Sequence, residues 1–366
     1  MISTAPRLAL GMAALATCAL TGSADTIFLL NGKVIEDVSV RSETFHEIGF
    51  KDGSKKRTIK TDDVLRITFD AKSKLVDRAD VAIDEGQLFD ALSDLETFVD
   101  GLIASGKKPR YSWEPAYAMR RLIELNAMIG DAPGLIAAAD KLIANAPESR
   151  FSPQAFLLKA ETQHLTGEGA AANATLKSFL NLIQGQRLSR RWTLEHKLAS
   201  ALYDKDLSGK NLRQILKSIA SEAGGGYPQV NNAAQVALGE SLLEGSKFSE
   251  AEPVFKRITD NPKASTATLA AAYTGLGDCL FKRATQSTGD DRDKLMRLAK
   301  LAYMRVVVVY KDQVRYVPKA MFWAGRVYDE SNDEDDKEKA QKLYTKVARE
   351  YAGSKWASEA GGFRKR

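Results

Sequence analysis

The chain has 366 residues, 44% of them hydrophobic and 27% charged, with 10 Pro, so most of it should fold into two or three ordinary domains. Its formal charge of +6 is thin for a dedicated nucleic-acid binder, whose cations would be numerous and clustered. Two Cys and three His exclude a disulfide scaffold, an iron–sulfur protein and a zinc ribbon, which needs about four ligands close together; no cofactor is expected.

The chain opens with Arg7, an apolar run from Leu8 to Leu20 and small residues at Gly22-Ser23-Ala24. This is the pattern of a secretory signal peptide, with cleavage expected after Ala24, and the run is too short to span a bilayer. Two other readings stay open. Leu15-Ala16-Thr17-Cys18 loosely resembles a bacterial lipobox, which would lipidate Cys18, although Thr17 is a poor residue before that Cys. An uncleaved anchor is the other. Export to the periplasm or beyond is the expected outcome. With Cys18 gone, Cys279 is the sole thiol, and its place inside an apparent helix reads as a small buried apolar residue.

Residues 25–72 read as a small antiparallel β unit. Thr26 to Leu30 is strand-like, and Asn31-Gly32 signals a hairpin in which both turn residues take positive φ. Val34, Glu36, Val38 and Val40 alternate on one face, with Ile35 on the other. Phe45 to Phe50, a turn at Asp52-Gly53, Lys56 to Lys60 and Val64 to Phe69 complete about five strands, which can curl into a barrel. The arrangement resembles the small SH3-like barrels that open many bacterial envelope proteins. Lys55-Lys56-Arg57 reads as a solvated hairpin whose charges discourage edge pairing, in preference to a phosphate contact.

From about residue 75 the chain is helical and repetitive. Ala299, Tyr303, Val306 and Tyr310 recur at one fixed offset as Ala340, Tyr344, Val347 and Tyr351. Ala, an aromatic four later and Val three after that trace one helix face. Ala251-Phe255-Ile258 and Ala91-Leu95-Phe98 fit the same template. A preceding helix carries Gly where two backbones would approach: Leu238-Gly239 before Ala251, Leu276-Gly277 before Ala299, Ala324-Gly325 before Ala340. Asn145-Ala146-Pro147 and Asn261-Pro262 end units, since Pro cannot continue a helix.

These residues resemble the tetratricopeptide repeat (TPR). The C-terminal stretch is similar to bacterial periplasmic TPR proteins of the TolA-binding and outer-membrane-assembly type. The resemblance implies a mainly α chain, a TPR-like α-solenoid of about six or seven helix pairs after the small β-barrel, which binds a protein or peptide in a concave groove. The expected organisation is a signal peptide (1–24), the barrel (25–72), divergent repeats (73–223) and regular repeats (227–366). Gly224-Gly225-Gly226 is read as a joint between the two helical halves. Residues 111–222 fit the repeat loosely.

The resemblance places the groove on the first helix of each pair: Val236, Glu240, Thr274, Asp278, Phe281, Lys319, Phe322 and Arg326. Lys319, Phe322 and Arg326 share one face by spacing, a basic and aromatic wall suited to an acidic or C-terminal peptide; the alternative is ordinary packing between repeats for Phe281 and Phe322, with the two cations solvated. Catalytic motifs are lacking. His46, His164 and His196 are isolated, and the acidic run Asp329 to Asp336 has no Gly at the sharp turn of a calcium loop. Asn173-Ala174-Thr175 is a sequon in a helical stretch. The leading expectation is a non-enzymatic envelope scaffold with no nucleic-acid partner. The alternative is a cell-wall hydrolase using carboxylates such as Glu195, Glu240 and Asp278.

Overall fold

The computed structural model describes residues 24–261 and 264–364. The expected leader, Cys18 included, and Pro262 lie outside the described residues. Among the described residues the chain is mainly α, with five strands followed by fifteen helices. No helix among them is long and apolar enough to cross a membrane.

The strands are β1 (Asp25–Leu29), β2 (Val34–Glu43), β3 (Glu47–Asp52), β4 (Lys55–Lys60) and β5 (Val64–Thr68). They form one antiparallel sheet in the order β4-β3-β2-β1-β5, so the expected barrel is an open sheet. The reason lies in β4: Lys55, Lys56 and Arg57 are exposed, and the strand offers little apolar surface to close against β5. Residues leading into the helix Glu114–Ile129, and its first turn, cover the sheet instead. Trp113 stacks on Phe69 with ring centroids 3.5 Å apart and joins Ile27, Val38, Ile48 and Phe50 in one core.

Two local expectations also change. Gly32 takes positive φ in the first turn, whereas Asn31 accepts the Lys33 amide through its side chain at 3.0 Å. In β2, Asp37 sits at φ 56 within a register shift. That bulge moves Ile35 onto the core face with Val38 and Val40 and leaves Val34 and Glu36 exposed.

The helices are α1 (Lys74–Asp84), α2 (Leu88–Ser105), α3 (Glu114–Ile129), α4 (Ala132–Asn145), α5 (Ser152–Leu165), α6 (Gly169–Gly185), α7 (Arg190–Tyr203) and α8 (Gly209–Ala223). They continue as α9 (Pro228–Glu244), α10 (Phe248–Thr259), α11 (Thr266–Ala284), α12 (Gly289–Val309), α13 (Val317–Asp329), α14 (Glu334–Glu350) and α15 (Lys355–Phe363). Each packs on its neighbours in sequence. From α5 onward each odd-numbered helix also touches the next odd-numbered one. The odd helices therefore line up side by side.

The anchors behave as their spacing requires. Ala251, Phe255 and Ile258, then Ala299, Tyr303 and Val306, then Ala340, Tyr344 and Val347 are all buried. In α2 the third anchor is Val99, with Phe98 partly buried beside it. The glycines matter through what faces them. A Cβ on Gly239 would lie 2.5 Å from the Phe255 ring, on Gly277 2.6 Å from Tyr303, and on Gly325 2.7 Å from Tyr344. The Gly224–Gly226 segment turns α8 into α9, and one hydrophobic cluster runs from α7 to α11 across it.

The sheet docks firmly on the helices. Glu114, buried at the start of α3, accepts from the Ser73 amide and, at 2.6 Å, from its hydroxyl, tying the start of α1. Phe45 packs with Phe179, Ile183 and Trp192, and its amide donates to the Glu148 carbonyl at 3.0 Å. Beside it, Glu43 meets Arg150 at 2.6 Å, both side chains buried.

Candidate binding groove

Facing residues of α5, α7, α9 and α11, with the segment between α12 and α13, enclose a cavity of about 380 Å³. Its walls combine Trp192, Tyr203, Val236 and Tyr316 with Glu161, Glu195, Glu240, Arg191 and Arg315. Arg315 reaches back to Glu161 at 2.6 Å, so the α12–α13 segment crosses to α5. Arg191 lies 3.7 Å from Glu195, one turn away on α7. Burial raises the Glu195 carboxyl above the usual range, with Arg191 opposing.

Glu240 differs from the other acids of this cavity, Glu161 and Glu195. Among the described residues it makes no ion pair or hydrogen bond. Its side chain meets solvent inside the groove while the walls crowd it, and that desolvation raises its carboxyl, opposed by Lys319 and Arg315 nearby.

One turn along α9, Glu244 borders a second cavity of about 270 Å³, walled by Phe248, Phe281, Trp323 and Trp356. The Phe281 and Trp323 ring centroids are 5.1 Å apart, and Lys282 lies 5.8 Å from the Trp323 ring. At its edge Asp278 accepts from Lys319 at 2.6 Å and from Tyr303 at 2.7 Å.

The structure divides the groove residues inferred from sequence. Val236 and Glu240 line the first cavity; Asp278, Phe281 and Lys319 line the second. Thr274 lines neither: it is buried and donates to the Ala270 carbonyl at 2.8 Å. Phe322 is core, covered by Trp356 and Phe363 of α15 at ring distances of 5.4 and 5.7 Å. Arg326 lies over the Phe363 ring at 4.5 Å. Lys319, Phe322 and Arg326 thus share a helix face but not an open wall, because α15 caps it.

Sequence reasoning missed Glu161, Arg191, Arg315, Trp323 and Trp356. Trp323, next to Phe322 on α13, was the one with a local signal.

The remaining candidates are structural. Cys279 is buried, and its thiol is pushed up to about 12 by burial first and by Asp278 second, which keeps it protonated and unreactive. His46 is exposed, His164 stacks on Tyr203, and His196 sits 3.1 Å from the Leu176 carbonyl. In the sequon, Thr175 is buried and donates to Gln163 at 2.7 Å. In the acidic run, Asp333 caps α14, and Asp329 accepts from Tyr344 at 2.8 Å. No group of three His, Cys, Asp or Glu that could hold a metal ion occurs among the described residues.

No protein-family model matches the chain, and no curated protein matches it.

Proposed function

We propose that this protein is an exported, non-enzymatic scaffold of the cell envelope, whose helix pairs stack as a TPR-like solenoid and dock a protein segment along the odd-numbered helices. The observation that carries the reading is the row of odd helices, α5 to α15, with two adjoining cavities on the faces they share. Stacked pairs of this kind leave one continuous surface free for a partner. Aromatic walls with a few placed charges suit peptide recognition. Export accords with β1 beginning at Asp25, directly after the expected cleavage point, where its side chain accepts the Val40 amide at 2.8 Å.

A photo-crosslinking residue at Lys282, in the second cavity, tests this against one at Arg297, an exposed position on α12. In envelope extract the same partner should be captured from Lys282 and not from Arg297. Equal capture from both, or none from either, overturns the reading. A mature N-terminus at Met1 would remove the export.

The hydrolase alternative keeps one observation: Glu195 and Glu240 line the same cavity and both carboxyls are raised. Release of soluble fragments from purified peptidoglycan, lost in Glu240→Gln, would select it over the scaffold.

A further inference from the structure

Charge bookkeeping in the groove leaves a remainder. Arg315 is held by Glu161 at 2.6 Å, Lys319 by Asp278 at 2.6 Å, and Arg191 faces Glu195 at 3.7 Å. Glu240 and Glu244, one turn apart on α9, have no ion-pair partner among the described residues, and Glu240 is the one that lines the first cavity. A carboxylate crowded by protein walls gains most from a cation brought to it, whereas a second carboxylate there adds like-charge repulsion. Of the cations lining the two cavities, Arg191, Arg315 and Lys319 face carboxylates; Lys282 has no carboxylate partner among the described residues and lies 5.8 Å from the Trp323 ring.

The neighbouring cavity offers the complementary half. It lies one helical turn along α9, about 6 Å by the helix rise. An extended chain covers that in two or three residues. Its walls, Phe248, Phe281, Trp323 and Trp356, accept a large apolar side chain.

We propose that the two cavities form one site for an extended peptide bearing a lysine or arginine and, two or three residues away, an aromatic or large aliphatic side chain. The cation meets Glu240, and the apolar group packs against Phe281, Trp323 and Trp356. The proposal rests on the groove being a peptide dock. It reverses the preference for acidic peptides that the spacing of Lys319, Phe322 and Arg326 suggests.

The experiment selects short random peptides displayed on phage against the purified chain, then measures synthetic versions of the winners. Enrichment of Lys or Arg near an aromatic is expected. Glu240→Gln, isosteric and in the open groove, should weaken those peptides about tenfold without changing the helical circular dichroism. Replacing the peptide's aromatic by Gly should weaken them similarly while the protein stays untouched. Binding by the parent should tighten as pH rises through the Glu240 titration, and this dependence should shrink in Glu240→Gln to what Glu195, in the same cavity, contributes. Acidic winners, or cationic winners indifferent to Glu240→Gln, overturn the inference and leave the scaffold reading standing. Selection of no peptide overturns both.

Discussion

The Tyr303 hydroxyl donates a 2.7 Å hydrogen bond to Asp278, which accepts Lys319 through its other oxygen at 2.6 Å. Tyr303 is fully buried, with its ring against Gly277. One carboxylate thus connects the interior of a helix pair to a charge in the groove. The next unit repeats the first half of this device: Tyr344, against Gly325, donates to Asp329 at 2.8 Å. Tyr303→Phe keeps the ring and removes the bond. It should cost about 1 kcal/mol, seen as a fall in melting temperature of a few degrees. Lys319→Met should cost more in the Tyr303→Phe background than alone, because Asp278 then loses both of these donors; strict additivity would mean that the two contacts are independent.

Gly239 and Gly275 both press on the Phe255 ring, from α9 and α11. Because the ring is buried and held from two sides, it has little room to yield. Gly239→Ala should therefore destabilise the protein by about 1–3 kcal/mol, and Gly239→Leu by more. Phe255→Leu should return part of the loss in the Gly239→Ala protein. Chemical denaturation of the four proteins measures this. An unchanged midpoint in Gly239→Ala would show that the α9–α10 crossing is looser than its geometry.

These glycine–aromatic pairs explain which helices were legible. Where Gly faces Phe or Tyr, the pattern is local and dense enough to read. The middle helices use the same spacing with plainer residues: Ala172, Leu176 and Phe179 in α6 are buried without a facing glycine. The strands were legible because Gly32 and Gly53 mark turns, but closure was not. Whether β4 meets β5 depends on what else covers the sheet, and Trp113 comes from outside it. In the groove, Glu240 and Asp278 could be placed on helix faces from sequence. Arg315 beside Glu161 could not, because no periodicity relates α5 to the segment before α13. Phe322 shows the converse limit: spacing gives the face, but α15 decides whether it is open.

The last expectation concerns pH and the seam between sheet and helices. Glu43 is enclosed beside Arg150, with Arg120 and Asp25 also acting on it. Burial raises its carboxyl to about 7, and Arg150 only partly offsets this. The folded state therefore holds the Glu43 proton more tightly than the unfolded chain, whose glutamates titrate near 4.3. The sign follows: the favourable contribution is complete below the unfolded value and is lost as pH rises towards 7. Stability should fall by a few kcal/mol across that window from this residue and level off above it. Glu43→Gln keeps the shape and an acceptor for Arg150 but cannot ionise. Denaturation midpoints between pH 4.5 and 8 should show a shallower fall for the variant than for the parent. Parallel curves would mean that Glu43 stays ionised against Arg150 throughout, and that the seam is held by a permanent ion pair.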